Sequence, residues 1–321
     1  MNRFWMAGIL AEELEEISHD PKSLSQPGFW VVLGTFEGEW TFARFNKTSK
    51  SEFPIDEEPL QLSEWSSNLD HKQYLDYVKS ARDEIAAGTF YQVNACRILS
   101  AKIISGGISR IFPRILRDNP APYAGVLQLP EIEIVSASPE RFTSIREGVI
   151  TTSPIKGTSA DGKFAEKDAA ENLMIVDLMR NDLGRVCETG SIKTPRLNAV
   201  EAHPGLYHLV SDVQGILRKD LSLGKVIETL MPPGSVSGAP KSSALKMIKK
   251  WEGRRGPYCG VFGWAENGNC ELAVGIRTFW RDGEFLRFGT GAGITWGSDP
   301  ESEWQETELK ARRLISIASG R

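Results

Sequence analysis

Histidine and cysteine are both scarce, four of each in 321 residues. The cysteines, Cys96, Cys187, Cys259 and Cys270, are scattered, with no CxxC and no histidine nearby at ligand spacing. That excludes a zinc ligand set and a disulfide framework, and predicts buried, reduced thiols. Long apolar runs are missing as well, since nothing approaches the ~20 residues of a membrane helix. The early FWMAGILA run meets EELEE at once, without a small-residue cleavage pattern. No signal peptide is read there, and a cytoplasmic protein with no membrane partner is expected. Charge of one sign is not in excess either. Lys and Arg total 38 against 42 Asp and Glu, a net charge of −4 that gives no reason to expect nucleic acid as a partner. Internal repeats and low-complexity tracts are absent.

What is present is an ordinary globular composition, 40% hydrophobic and 25% charged, long enough for one large domain or two. Residues 29–45 predict a β-hairpin, and 46–70 a polar surface connection. Tyr74, Val78, Ala81 and Ile85 fall at helical spacing over 71–87, with Gly88 as the stop. A strand-like run, FYQVNACRILSAKI, follows. Helices are expected over 164–183, over 240–252 with Pro240 in the first turn, and from about 300 to 318. Between 258 and 296, three β-rich runs joined by NGN and RDG predict an antiparallel meander. Helices and strands mix without a βαβ rhythm, so an α+β fold is expected.

Two glycine-rich strings fail as nucleotide motifs. In GTGAG (Gly289, Gly291, Gly293) the sixth position is Ile294, and the segment continues as strand instead of opening a helix. Its glycines suit a backbone that a ligand approaches closely. In GAPKSS only two residues separate Gly238 from Lys241, too few for a phosphate loop, although the helix N-terminus there can face an anion. The acids say more. Asp168 and Glu171 share one helix face, as do Glu303 and Glu306. Spacing alone describes solvated faces equally well. If both faces line one cleft, four carboxylates meet and demand a divalent cation, and an all-oxygen set suits Mg²⁺. Lys156, between Pro154 and Gly157 in SPIKGT, is either a surface lysine or a confined nucleophile. His208 in YHLVS is a similar case. Arg277 in GIRTF implies either a structural ion pair or a carboxylate ligand.

Seven strings then coincide in order: SASPERF (136–142), SPIKGT (153–158), AENLMIVDLMRNDLGRV (170–186), YHLVS (207–211), PGSVSGAPK (233–241), AVGIRT (273–278) and GAGITWGSDPESEWQET (291–307). Over about residues 70–318 the chain resembles the chorismate-utilising enzymes: anthranilate synthase component I, aminodeoxychorismate synthase component I, isochorismate synthase and salicylate synthase. The resemblance implies two packed, mainly antiparallel β-sheets flanked by helices, with chorismate and Mg²⁺ in a cleft. It implies Glu171 and Glu306 as direct metal ligands, with Asp168 and Glu303 acting through waters; Asp168 stands where the family more often has Glu. It implies Arg277, Tyr258, Lys310 and the backbone of Gly291, Ala292 and Gly293 as the grip on the two substrate carboxylates. His208 would sit near the leaving group, with Gly157 and Thr158 facing the ring. Residues 71–321 would form the catalytic domain, and 1–70 a reduced β-rich portion integrated with it.

Two positions separate the members of this family. Isochorismate and salicylate synthases carry a lysine base that activates water where this chain has Gln92. Anthranilate synthases usually read PIAGT, whereas aminodeoxychorismate synthases read PIKGT, as here with Lys156. The resemblance therefore implies amination of chorismate at carbon 4 through a covalent Lys156 adduct, with anthranilate synthase as the alternative. No Gly-x-Cys-x-Gly elbow is present, so ammonia is expected from a separate glutamine amidotransferase subunit. The LLES-like string of tryptophan-regulated relatives is not found, and a non-catalytic relic would not need Lys156, His208, Arg277 and four acids together.

Overall fold

The apolar and aromatic runs of the chain become strands whose pairings, among the described residues, are all antiparallel. The computed structural model describes residues 2–54, 60–159, 161–203 and 206–320. One hydrogen-bonded path runs through the strands Gln92–Ser105, Phe285–Ile294, Thr278–Asp282, Glu133–Ser138, Tyr123–Gln128 and Arg3–Met6. From Arg3–Met6 it turns into Ile9–Ser18 and continues through Trp40–Lys50, Phe29–Gly34, Val261–Glu266, Asn269–Val274 and Arg141–Arg146. Val149–Ser153 and then Leu206–Ile216 follow, the latter flanked by Ile155–Ser159 and Lys193–His203. The path folds over so that its halves pack as two layers. Phe4 of the first half meets Phe29 and Phe262 of the second at ring-centroid distances of 6.0 and 5.5 Å.

Six helices among the described residues cover these layers: α1 (His71–Ala86), α2 (Ile111–Asp118), α3 (Glu166–Leu183), α4 (Leu223–Leu230), α5 (Lys241–Trp251) and α6 (Pro300–Ala318). Their starts follow local chemistry. Asp70 and Gln73 form a capping box on α1, and Asp299 accepts the Ser302 N–H ahead of α6, with Pro300 at the first helical position. Pro240 is the N-cap of α5 instead of a first-turn residue. The larger core fills the space between the layers; a second, around Phe112, Phe279, Phe288 and Leu314, lies under α2 and α6. The fold is thus α+β, as expected from the sequence.

The expected meander over 258–296 is corrected to two hairpins in different layers. Val261–Glu266 pairs with Asn269–Val274, and Thr278–Asp282 with Phe285–Ile294, but the middle two strands do not pair with each other. The chain crosses between layers at residues 275–277. A second crossing, at residues 139–140, lies beside it, because Glu133–Ser138 pairs with Thr278–Asp282 while Arg141–Arg146 pairs with Asn269–Val274. Backbone bonds from Val274 N–H to Glu140 O (3.0 Å) and from Ala137 N–H to Arg277 O (3.0 Å) tie the crossings together. This seam carries Glu140 and Arg277, and Arg277 adopts a left-handed φ of 52°.

Candidate active site

Lys156 lies on the short strand Ile155–Ser159, opposite Leu209, and the register slips at Gly157. Gly157 has φ 78°, and a Cβ there would meet the Phe164 ring at 2.9 Å and the Asp168 Cβ at 3.3 Å. Only glycine satisfies both the turn and the space. The Lys156 amine reaches toward the glycine strand: a Cβ on Gly293 would sit 3.5 Å from Lys156 Nζ and 2.8 Å from Gln92 Nε2. Lys156, Gln92 and Gly293 therefore border one point. Burial pushes the Lys156 amine below its ordinary range, and Lys310 adds to this, while Glu171, Glu140 and Glu306 oppose it. Those opposing charges come from α3, from α6 and from the seam.

Both acidic helix faces accordingly turn to the same site. Glu303 is 8% exposed. Glu306 pairs with Lys310 at 2.6 Å, and Lys310 also donates to Gly291 O at 3.1 Å. Asp168 Oδ2 accepts the Ala165 N–H at 2.9 Å, closing the first turn of α3. In kind, this all-carboxylate set fits Mg²⁺. Among the described residues, no three carboxylate, imidazole or thiol groups are gathered tightly enough to hold a metal ion between them.

Glu140, which the sequence reading passed over, sits at the seam between Lys156 and Arg277. It is 5% exposed and accepts a hydrogen bond from Ser235 Oγ at 2.7 Å. Burial pushes its carboxyl up to about 7, against the Ser235 hydrogen bond and the charges of Lys156 and Arg277. The Arg277 guanidinium is itself pushed below its ordinary range by burial, with Glu140 opposing. It is a desolvated cation without a bonded carboxylate among the described residues, the arrangement of an anion-binding group. The signal for Glu140 in the sequence was its place in SASPERF, next to a proline where a strand changes layers.

The remaining expected residues fall around this centre. His208 is 2% exposed and stands opposite Thr158, one step from the Lys156–Leu209 pair; the Thr158 side chain lies outside the described residues. The Tyr258 hydroxyl meets Cys96 Sγ at 3.7 Å, and its ring lies against Gly289, on the face of the glycine strand that Lys156 meets but four residues along from Gly293. Ala292 is buried on the opposite face of that strand from Gly291 and Gly293. Lys241 of GAPK is held by Asp182 at 2.9 Å. No helix among the described residues is long and apolar enough to cross a membrane.

Anthranilate synthase component 1 of Saccharolobus solfataricus is 38% identical over 270 residues, 79% of this chain and 64% of that protein. Aminodeoxychorismate synthase component 1 of Escherichia coli is 37% identical over 279 residues, 82% of this chain and 61% of that protein. The chain thus spans about three fifths of the length of these relatives. In fold, it matches anthranilate synthase component I from Streptococcus pneumoniae with a TM-score of 0.84 at 24% identity, over 97% of this chain and 92% of that one. It matches the menaquinone-specific isochorismate synthase of Escherichia coli at 0.83 and 20% identity, over 99% and 89%. Residues 35–316 match the chorismate binding enzyme model, and the chain belongs to that family.

Proposed function

We propose that this chain acts as aminodeoxychorismate synthase component I, converting chorismate and ammonia to 4-amino-4-deoxychorismate and water. The observation that carries the reading is a lysine with a depressed pKa placed beside Gln92 and a seam carboxyl raised to about 7. The neutral Lys156 amine attacks carbon 2 of the ring while Glu140 protonates the carbon 4 hydroxyl, which leaves as water. Ammonia then bonds to carbon 4, the carbon 2–Nζ bond breaks, and the proton shed by the new amine returns to Glu140. Gln92 has no basic nitrogen, so water is not activated at carbon 2. Arg277 and Lys310 would hold the substrate's two carboxylates, one on the ring and one on the enolpyruvyl side chain, and His208 would stand near the leaving group. Mg²⁺ would be held by Glu171 and Glu306, with Asp168 and Glu303 behind them, once Glu306 exchanges Lys310 for the metal. When bound, it supplies charge neutralisation to a carboxylate. A glutamine amidotransferase subunit is the proposed ammonia source, in keeping with relatives that are named component 1.

Intact-protein mass spectrometry after incubation with chorismate and Mg²⁺, without ammonia, should show an adduct that maps to Lys156. Amination at the native rate by Lys156→Ala would overturn the covalent role. The second reading is anthranilate synthase component I, favoured by the 38% identical archaeal relative. Anthranilate is fluorescent as formed, whereas aminodeoxychorismate yields 4-aminobenzoate only after a lyase is added, so one assay separates them.

A further inference from the structure

Among the described residues, one side chain is bonded to the Glu140 carboxylate. That carboxylate accepts from Ser235 Oγ at 2.7 Å, whereas Lys156 and Arg277 act on it through charge. Ser235 belongs to the turn Gly234–Val236, and that turn is fastened independently of the Ser235 hydroxyl. Gly234 is wedged against α3, where an added Cβ would come within 2.6 Å of Met179. Val236 O accepts from the buried Arg255 guanidinium at 3.0 Å, and Ser237 Oγ bonds Pro233 O at 2.9 Å. The hydroxyl of Ser235 is therefore not needed to hold the turn, and its partner is the Glu140 carboxyl. Glu140 is buried while Ser235 is partly accessible, so the bond ties the acid to the wall of the cleft.

We propose that Ser235 is a positioning residue for the reaction: its hydroxyl fixes one oxygen of Glu140 and leaves the other aimed at the bound ring. A hydrogen bond donated to a carboxylate also favours the ionised form, so Ser235 holds the acid below the value burial alone would impose. The charged groups facing Glu140 are both cations, Lys156 on the short strand and Arg277 at the neighbouring crossing, and they act in the same direction.

This proposal rests on Glu140 as the acid, and the test separates the two. The protonated Glu140 carbonyl stretch is followed by infrared difference titration of the full chain without substrate, with Glu140→Gln identifying the band. In Ser235→Ala the midpoint should rise by about one pH unit, the worth of one hydrogen bond to a charged group. Ser235→Thr should restore it, and Ser235→Cys, a weak donor of similar shape, should fall between. In turnover, Ser235→Ala should lower kcat by about tenfold with little change in KM for chorismate, and its basic limb should move up with the infrared midpoint. An unchanged midpoint in both Ser235→Ala and Ser235→Cys overturns the proposal. A shifted midpoint in a protein that aminates no chorismate leaves the Ser235–Glu140 link standing and removes the proposed function.

Discussion

Glu140 carries a stability signature as well as a chemical one. Its carboxyl is raised from 4.5 to about 7 chiefly by burial, so the folded chain keeps a proton that the unfolded chain has lost over that interval. The sign follows directly: the stabilisation is complete below pH 4.5 and fades as pH rises through about 7. Glu140→Gln removes this titration. The melting temperature of the variant minus that of the native chain should therefore climb from pH 4.5 to 7 and then level off. The range is on the order of 3 kcal/mol at most, a few degrees for a chain of this size. A pH-independent difference would place Glu140 in contact with solvent. Lys156 was legible in the sequence because proline and glycine flank it and a known pattern surrounds it. Glu140 was not, because a glutamate between proline and arginine looks like a surface residue. Its burial arises only when two pairs of strands change layers together, which local pattern does not record.

The glycine strand Phe285–Ile294 shows how one element serves packing at one end and the site at the other. A Cβ on Gly289 would overlap the Tyr258 ring at 2.0 Å, and one on Gly291 would meet Cys96 Sγ at 2.6 Å and Ala95 O at 2.7 Å. These neighbours are buried or backbone and have nowhere to go. A Cβ on Gly293 meets only the ends of two flexible side chains, Gln92 and Lys156. Gly289→Ala and Gly291→Ala should thus lose about 1–3 kcal/mol of stability in chemical denaturation. Gly293→Ala should fold nearly as well as the native chain yet lose activity, since the displaced Gln92 amide borders the proposed nucleophile Lys156. Similar midpoints and similar activities for all three would refute this division. The same strand marks the limit of sequence reading for elements. The long helices and the Phe29–Gly34 hairpin follow from periodicity and caps, and GTGAG runs as strand, as its pattern predicts. The meander failed because residues 275–277 carry no turn signature, and antiparallel runs in sequence order look alike whether they pair with each other or with distant strands.

For the whole molecule, the consequence of the fold is that α3 and α6, far apart in the chain, both project carboxylates toward Lys156. Lys310 pairs with Glu306 directly. A divalent cation seated there would bind the folded chain and not the unfolded one, since only folding brings the two faces together. Such binding stabilises by mass action, about 2.7 kcal/mol at a hundredfold excess over Kd. Mg²⁺ should therefore raise the melting temperature in a saturable way, and a chelator should reverse it. Glu171→Gln and Glu306→Gln should each abolish the rise, while Glu12→Gln, a surface acid near Lys47, should leave it intact. Lys310→Met should sharpen the response, because Glu306 then loses the ammonium that competes with the metal for its carboxylate. A melting temperature indifferent to millimolar Mg²⁺ would mean that the lysines alone neutralise this cleft, and that its acids serve charge balance instead of metal binding.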